Sequence, residues 1–263
     1  MKKYLHLLFS VILLTFSLSI KAGDRKENSV FKIFDIRTES ARPKITALYR
    51  DNDGQVWTGT DHGIFKFDGT DFRKIQGSDS SLFKSVTSIY QSKDGIIWAG
   101  YSSGKILKIY HNNFTIYNPE EGFPKVPVTG FAEDNTNKLF FCTNGEGVYC
   151  IDKGRMFNIN EEDGLSDNFC YNISSLSDGR ICTGTDAGVN FISFVNGKKN
   201  ITVFNSGNEL PDDIVRCVTP VGKGKIWIGM QDKGILLYNY EKNAIEPSPV
   251  KDWNNGPVVS MLM

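Results

Sequence analysis

The sequence predicts an all-β fold, a β-propeller of four-stranded blades, on three observations. A unit of about 42 residues recurs five times in register. Each unit carries a Gly- or Asn-containing turn followed by a fixed bulky position. The first strand of each unit has apolar residues of both parities, so both of its faces are buried, where a strand of a one-sided sheet would alternate. Four short strands per unit, stacked on neighbours through both faces, is the logic of a propeller blade.

The repeat is anchored on Asp51-Asn52-Asp53-Gly54-Gln55-Val56-Trp57 and Lys93-Asp94-Gly95-Ile96-Ile97-Trp98, followed by Asn137-Lys138-Leu139-Phe140, Asp178-Gly179-Arg180-Ile181-Cys182 and Lys223-Gly224-Lys225-Ile226-Trp227. The anchors 54, 95, 137, 179 and 224 are separated by 41, 42, 42 and 45 residues, and three of the four Trp fall in one column. Nine positions before the anchors stand Ile45, Val86, Val128, Cys170 and Val215. Seven before stand the smaller Ala47, Ser88, Gly130, Asn172 and Cys217, and six before stand Leu48, Ile89, Phe131, Ile173 and Val218. Gly59, Gly100, Gly184 and Gly229 follow the Trp column, and Phe72–Ile75, Phe114–Tyr117, Phe157–Ile159 and Ile201–Phe204 close units. Small residues suit the innermost strand, and the Trp column suits a wedge between blades. Unit three has Asn137 and Cys142 where the others have Gly, which predicts an irregular hairpin there.

The N-terminus is read apart from the fold. Lys2 and Lys3, an apolar run from Tyr4 to Ile20, then Lys21, Ala22 and Gly23 have the order of a secretory signal cleaved after Ala22. The alternative is an uncleaved anchor. The predicted organisation is a signal peptide at 1–22 and a repeat domain at 23–263, with blades at about 45–77, 86–118, 128–160, 170–205 and 215–248. Val30–Ile36 reads as an outer closing strand, and Gly256–Met261 as the start of a sixth unit, with Val258 in the Val215 column. The expectation is five complete blades plus partial terminal strands, an incomplete ring cut from a longer propeller. Such an arc is expected to self-associate or dissolve poorly.

Composition removes several function classes. Hydrophobic residues make up 40% of the chain, too many for disorder, and thirty Lys+Arg balance thirty Asp+Glu, which gives no basic footprint for nucleic acid. Removing Lys2, Lys3 and Lys21 with the signal leaves 27 basic against 30 acidic residues, a net of −3 that gives no preference for a polyanionic ligand. The mature chain has no second apolar stretch long enough to span a membrane. His6, His62 and His111 are the only histidines, so a His-rich metal site or a phosphorelay has little material.

Export places Cys142, Cys150, Cys170, Cys182 and Cys217 in an oxidising compartment, but the count is odd and lacks CxxC or zinc spacing. Cys142 and Cys150 flank a turn, which leaves a disulfide across a hairpin as one reading; buried small apolar residues is the favoured one. No nucleophile elbow, Walker loop or HExxH occurs. Asp51-Asn52-Asp53-Gly54 reads as a tight hairpin turn rather than a calcium loop, because the later Glu is missing. Glu120-Glu121 and Glu161-Glu162-Asp163 read as solvated loop charge rather than a catalytic pair. No catalytic, cofactor-binding or metal residues are predicted, and the ligand-binding residues are unknown at this level. The loops eligible to carry a ligand are Gln76–Ser85, Asn118–Pro127, Asn160–Asn168 and Asn205–Ile214, with the turns Asp61-His62, Ser102-Ser103 and Gln231-Asp232-Lys233. Exposed aromatics such as Tyr101 and Phe123 are of a kind that stacks on a sugar ring, but surface or packing roles are the favoured reading for them.

Gly164-Leu165-Ser166-Asp167-Asn168, Leu210-Pro211-Asp212-Asp213-Ile214-Val215, Trp57-Thr58-Gly59-Thr60, Trp98-Ala99-Gly100, Thr183-Gly184-Thr185, Trp227-Ile228-Gly229 and Ile64-Phe65-Lys66-Phe67-Asp68-Gly69 resemble the two-component regulator propeller repeats of periplasmic sensors in Bacteroidetes. The resemblance runs over about 30–263. It implies a periplasmic, ligand-sensing part of a receptor whose membrane helix, histidine kinase and dimer contacts lie elsewhere, and oligosaccharides as ligands. The chain itself would not be an enzyme. Two rivals remain: an exported propeller glycosidase or polysaccharide lyase, and an interaction propeller with no small ligand. Asp-box, WD and kelch repeats fit less well, since their own signatures do not recur.

Overall fold

The computed structural model describes residues 34–36, 42–75, 85–111, 113–118, 122–247, 250 and 256–261. It divides into Met1–Phe34, of which only Phe34 is described, and Asp35–Met263, which holds the fold. The predicted signal at 1–22, most of the predicted strand at Val30–Ile36, and most of the loop Gln76–Ser85 lie outside the described residues.

Five antiparallel sheets of four strands succeed one another in chain order. Blade 1 contains β1 (Ile45–Arg50), β2 (Val56–Thr60), β3 (Gly63–Phe67) and β4 (Phe72–Lys74). Blade 2 contains β5 (Val86–Gln91), β6 (Ile97–Tyr101), β7 (Ile106–Tyr110) and β8 (Asn113–Tyr117). Blade 3 contains β9 (Val128–Glu133), β10 (Leu139–Thr143), β11 (Val148–Asp152) and β12 (Arg155–Ile159). Blade 4 contains β13 (Cys170–Ser175), β14 (Ile181–Thr185), β15 (Gly188–Val195) and β16 (Lys198–Phe204). Blade 5 contains β17 (Val215–Pro220), β18 (Lys225–Met230), β19 (Ile235–Asn239) and β20 (Ala244–Glu246). Each innermost strand packs on the innermost strand of the next blade, as a propeller requires, and the ring is not closed.

The core lies between blades. Trp57 and Ile64 of blade 1 pack against Val86, Ile89 and Ile97 of blade 2. Trp98 and Ile106 pack in the same way on Val128, Phe131 and Leu139. Phe140 of blade 3 meets Cys170, Ile173 and Ile181, and Cys182 of blade 4 meets Val215, Val218 and Ile226. The Gly column is explained by close approach. A Cβ on Gly100 would stand 2.6 Å from Val128 Cβ, so the neighbouring inner strand leaves room only for hydrogen.

Blade 3 is regular, contrary to the sequence expectation. Asn137 takes a φ of 62°, the left-handed conformation that the aligned Gly54 and Gly95 adopt at 80° and 82°. Asn tolerates that region, so the same turn forms. Cys142 lies opposite Gly130 in the register, where blade 2 sets Gly100 opposite Ser88. The glycine has crossed to the partner strand, and the pair keeps room for only one side chain. The five cysteines are buried and unbridged. Burial pushes the Cys142, Cys150 and Cys182 thiols up to about 12, so they pack as small apolar groups.

Val258 occupies the place predicted for a sixth unit. Its N–H donates to the Met230 carbonyl at 3.0 Å, and its side chain is buried against Gly229. Residues 256–261 nevertheless form no strand.

Candidate functional site on the loop face of blades 4 and 5

Every blade carries a bulge near the start of its innermost strand, because the pairing skips one residue there. The skipped residues are Thr46, Thr87, Thr129, Tyr171 and Arg216. The three threonines have a structural task. Their hydroxyls donate to the Val86, Val128 and Cys170 carbonyls of the following blade, at 2.5, 2.6 and 2.6 Å.

Tyr171 and Arg216 break that column. The Arg216 guanidinium stacks over the Tyr171 ring, 4.1 Å from its centroid, and its Nε donates to Gln231 Oε1 at 2.7 Å. The Tyr171 hydroxyl donates to Asp186 Oδ1 at 2.7 Å. Burial, reinforced by that acceptor, raises the Tyr171 phenol above its ordinary range, so it is a donor at neutral pH. Asp186 and Gln231 lie in the β14–β15 and β18–β19 turns, so the cluster sits on the face where these turns and the blade-to-blade loops meet. Phe169, one residue before β13, is also exposed. Burial and the carboxylates of Asp186 and Glu161 hold Asp167 above the ordinary carboxylate range. A stacked cation, a phenol, carboxylates and an exposed ring suit a polar ligand with apolar faces.

The loops framing this cluster are built by their own side chains. Asn160 caps a short 3-10 turn at Glu161–Asp163 through a capping box, and Asn205 caps the equivalent turn at Ser206–Asn208. Leu165 and Leu210 are buried plugs beneath them. Glu161 Oε1 accepts from Asn168 N at 3.2 Å, and Asp163 pairs with Lys199. Glu161 and Asp163 are thus tied into their loop. Glu120 and Glu121 lie outside the described residues.

Asp51 uses both carboxylate oxygens as turn acceptors. Oδ1 receives Asp53 N at 3.1 Å and Gln55 N at 2.8 Å, and Oδ2 receives Trp57 Nε1 at 2.8 Å. His62 hydrogen-bonds Asp61 at 2.8 Å in the exposed β2–β3 turn, and His111 occupies the exposed β7–β8 turn. Tyr101 corrects the sequence reading. It is only 2% exposed, because it ends β6 and packs into the core shared with blade 1. Phe123 is half-buried, stacked on Tyr117 at 4.9 Å and parallel to Phe141 at 6.5 Å. No group of His, Cys, Asp and Glu among the described residues is arranged to hold a metal ion, and none of their helices is long and apolar enough to cross a membrane.

The sheets and their stacking define a β-propeller of four-stranded blades. Residues 41–62 match the sequence model of the family described as "Two component regulator propeller". No curated protein sequence matches it. Its fold is similar to the extracellular domain of a hybrid two component system from B. thetaiotaomicron, with a TM-score of 0.65 at 22% identity over 81% of this chain and 32% of that one. A second such domain from the same organism gives 0.65 at 17% identity, over 81% and 28%. The chain therefore spans about a third of these extracellular domains. Virginiamycin B lyase from Staphylococcus aureus shares the fold at a TM-score of 0.63 and 16% identity, over 82% of this chain and 72% of that one.

Proposed function

We propose that this chain is an exported, ligand-sensing propeller region of a two-component regulator, and that its ligands are oligosaccharides. Two supports are the family match at residues 41–62 and the extracellular hybrid two component domains that share its fold. The observation that carries a binding role is the exchange of two structural threonines for Tyr171 and Arg216, which gives up inter-blade ties for a polar cluster on the loop face. It passes ligand occupancy to a histidine kinase through ligand-biased dimer geometry in the full receptor. Domains 1–22 and 23–263 are its signal and its sensing propeller, in a Gram-negative periplasm.

Calorimetry of the purified chain against hexasaccharides from cellulose, xylan, mannan, galactan and chondroitin tests the reading. One of them is expected to bind, and Tyr171→Thr with Arg216→Thr is expected to weaken it at least tenfold. A transcriptional reporter in the source bacterium should respond to the same sugar. Silence of the reporter to every sugar overturns the sensing role. The lyase likeness supplies a second reading for the fold, and turnover of any of these glycans would favour it.

A further inference from the structure

The grooves between blades repeat the same columns, and one of them is unfilled. Between blades 3 and 4 the groove leaves a cavity of about 260 Å³, and between blades 4 and 5 one of about 180 Å³. Between blades 2 and 3 it opens to about 690 Å³, within the range of small-molecule sites.

The cause is visible in one column. In blade 1, Asp51 accepts the indole N–H of Trp57 at 2.8 Å. Its counterpart in blade 2 is Ser92, whose hydroxyl is turned to Asp94 and to the Ile96 carbonyl. Trp98, the counterpart of Trp57, is 7% exposed, and its Nε1 has no hydrogen-bond partner. A buried donor left unpaired is costly and calls for an explanation. Trp98 lies in the wall of the large cleft.

The rest of the wall has a consistent chemistry. Tyr117 stacks on Trp98 at 6.2 Å and 22°, and Phe123 continues the stack at 4.9 Å and forms its half-buried end. Glu133 is 5% exposed and also lines the cleft, with Oε2 receiving Lys93 N at 2.8 Å. Asp94 stands at the rim. Lys108 and Lys153 balance these two carboxylates, and Lys108 Nζ already sits 5.7 Å over the Trp98 ring. The cation position is occupied from within, so an amine is not the fitting ligand. An unpaired donor, carboxylate acceptors, balanced charge and the Phe123 ring at the end of the stack together fit a neutral ring with hydroxyls at its edge and C–H groups on its face.

We infer that the cleft between blades 2 and 3 is a saccharide-binding site, separate from the loop face, in which Trp98 donates its indole N–H to a sugar oxygen while Phe123, at the end of the stack, meets the C–H face of a pyranose ring. It shares with the proposed function only the class of ligand. The indole N–H is closed to bulk water, so a side-chain adjustment of the kind common on binding brings the oxygen to it.

Ser92→Asp rebuilds the Asp-x-Asp-Gly turn of blade 1 and restores an internal acceptor for Trp98. Trp98→Phe keeps a ring and removes the donor. Calorimetry of the full chain with the same five hexasaccharides reads both, with thermal melting to show that each variant is folded. Two binding events are expected: the one at the cleft weakens at least tenfold in Ser92→Asp and in Trp98→Phe and survives in the Tyr171→Thr, Arg216→Thr double variant, which weakens only the event at the loop face. Unchanged binding in both cleft variants overturns the cleft and leaves the sensing role intact. Failure of all five sugars to bind overturns the cleft and the oligosaccharide reading together. Cleft binding without any reporter response supports the site and overturns the sensing role alone.

Discussion

The innermost strands β1 and β9 carry the same pattern and live in opposite surroundings. Val128 and Phe131 of β9 are 0% and 7% exposed, wedged against blade 2. Ile45 and Leu48, in the same columns of β1, are 49% and 65% exposed. Each strand makes the same bulged pairing with its own second strand. The difference therefore comes from the neighbour and not from the sheet. In a propeller, hydrogen bonds build each blade, while burial and most of the stability come from the blade beside it.

The largest effect expected from that contrast is at Phe131. Phe131→Ala removes a ring packed between Phe141 and the blade 2 wall and should cost about 3–5 kcal/mol. Leu48→Ala, in the same column, should change stability by no more than about 0.5 kcal/mol, because the side chain is already in water. Urea denaturation of the two variants measures the gap. Equal losses would break the comparison.

How much of this was legible in the sequence follows from which residues repeat. The columns six, seven and nine before each anchor show the inner strand, and the Trp and Gly columns show which face meets the next blade. The column eight before each anchor, Thr46, Thr87, Thr129, Tyr171 and Arg216, carries the loop-face cluster and is silent unless the bulge is known. With the bulge, that position escapes the strand's alternation and turns to the neighbouring blade or to the loops. Tyr101 was misread for a related reason. It follows Gly100 at the end of a strand, where sequence suggests a turn, yet blade 1 covers it. The Cys142 and Gly130 exchange was half legible: the missing Gly shows, but its compensation across the strand pair needs the register.

The glycine column sharpens the contrast at intermediate cost. Gly100→Ala places a methyl 2.6 Å from Val128 Cβ, between two strands that cannot part cheaply, and should cost about 1–3 kcal/mol. Gly130→Ala meets Ile173 Cγ2 at 3.2 Å and Cys142 Sγ at 3.5 Å, so it should cost less. Combining it with Cys142→Gly restores the pairing of a small residue opposite glycine found in the other blades, and should recover most of the loss. Thermal melts of the single and double variants test this, and a double variant no better than its parent would refute the exchange.

A smaller effect is expected at the cap of the first groove. Asp51→Ala strips Trp57 Nε1 of its acceptor and leaves two turn N–H groups to water, for about 1–2 kcal/mol. Ser92→Ala leaves Trp98 as it is and should cost less, since the indole there has no acceptor to lose. The two variants compared by urea titration show whether the cap belongs to the packing of the groove or only to its turn.

The smallest effect lies far from any interface. Asp68, in the exposed β3–β4 turn, accepts the Asp71 and Thr70 N–H groups at 2.9 and 3.0 Å and pairs with Arg73 at 2.8 Å. The Asp71 N–H, then Thr70, and lastly Arg73 hold its carboxyl well below the ordinary carboxylate range. A depressed folded-state pKa stabilises the fold above the unfolded value of about 3.8 and loses that contribution as pH falls through the folded value. Wild type should therefore exceed Asp68→Asn slightly at neutral pH, with the difference vanishing in acid. Water screens the turn, so the gap should be well below that at Phe131. A gap that instead grew as pH fell would reverse the sign of the linkage, and would mean that the turn prefers the protonated acid.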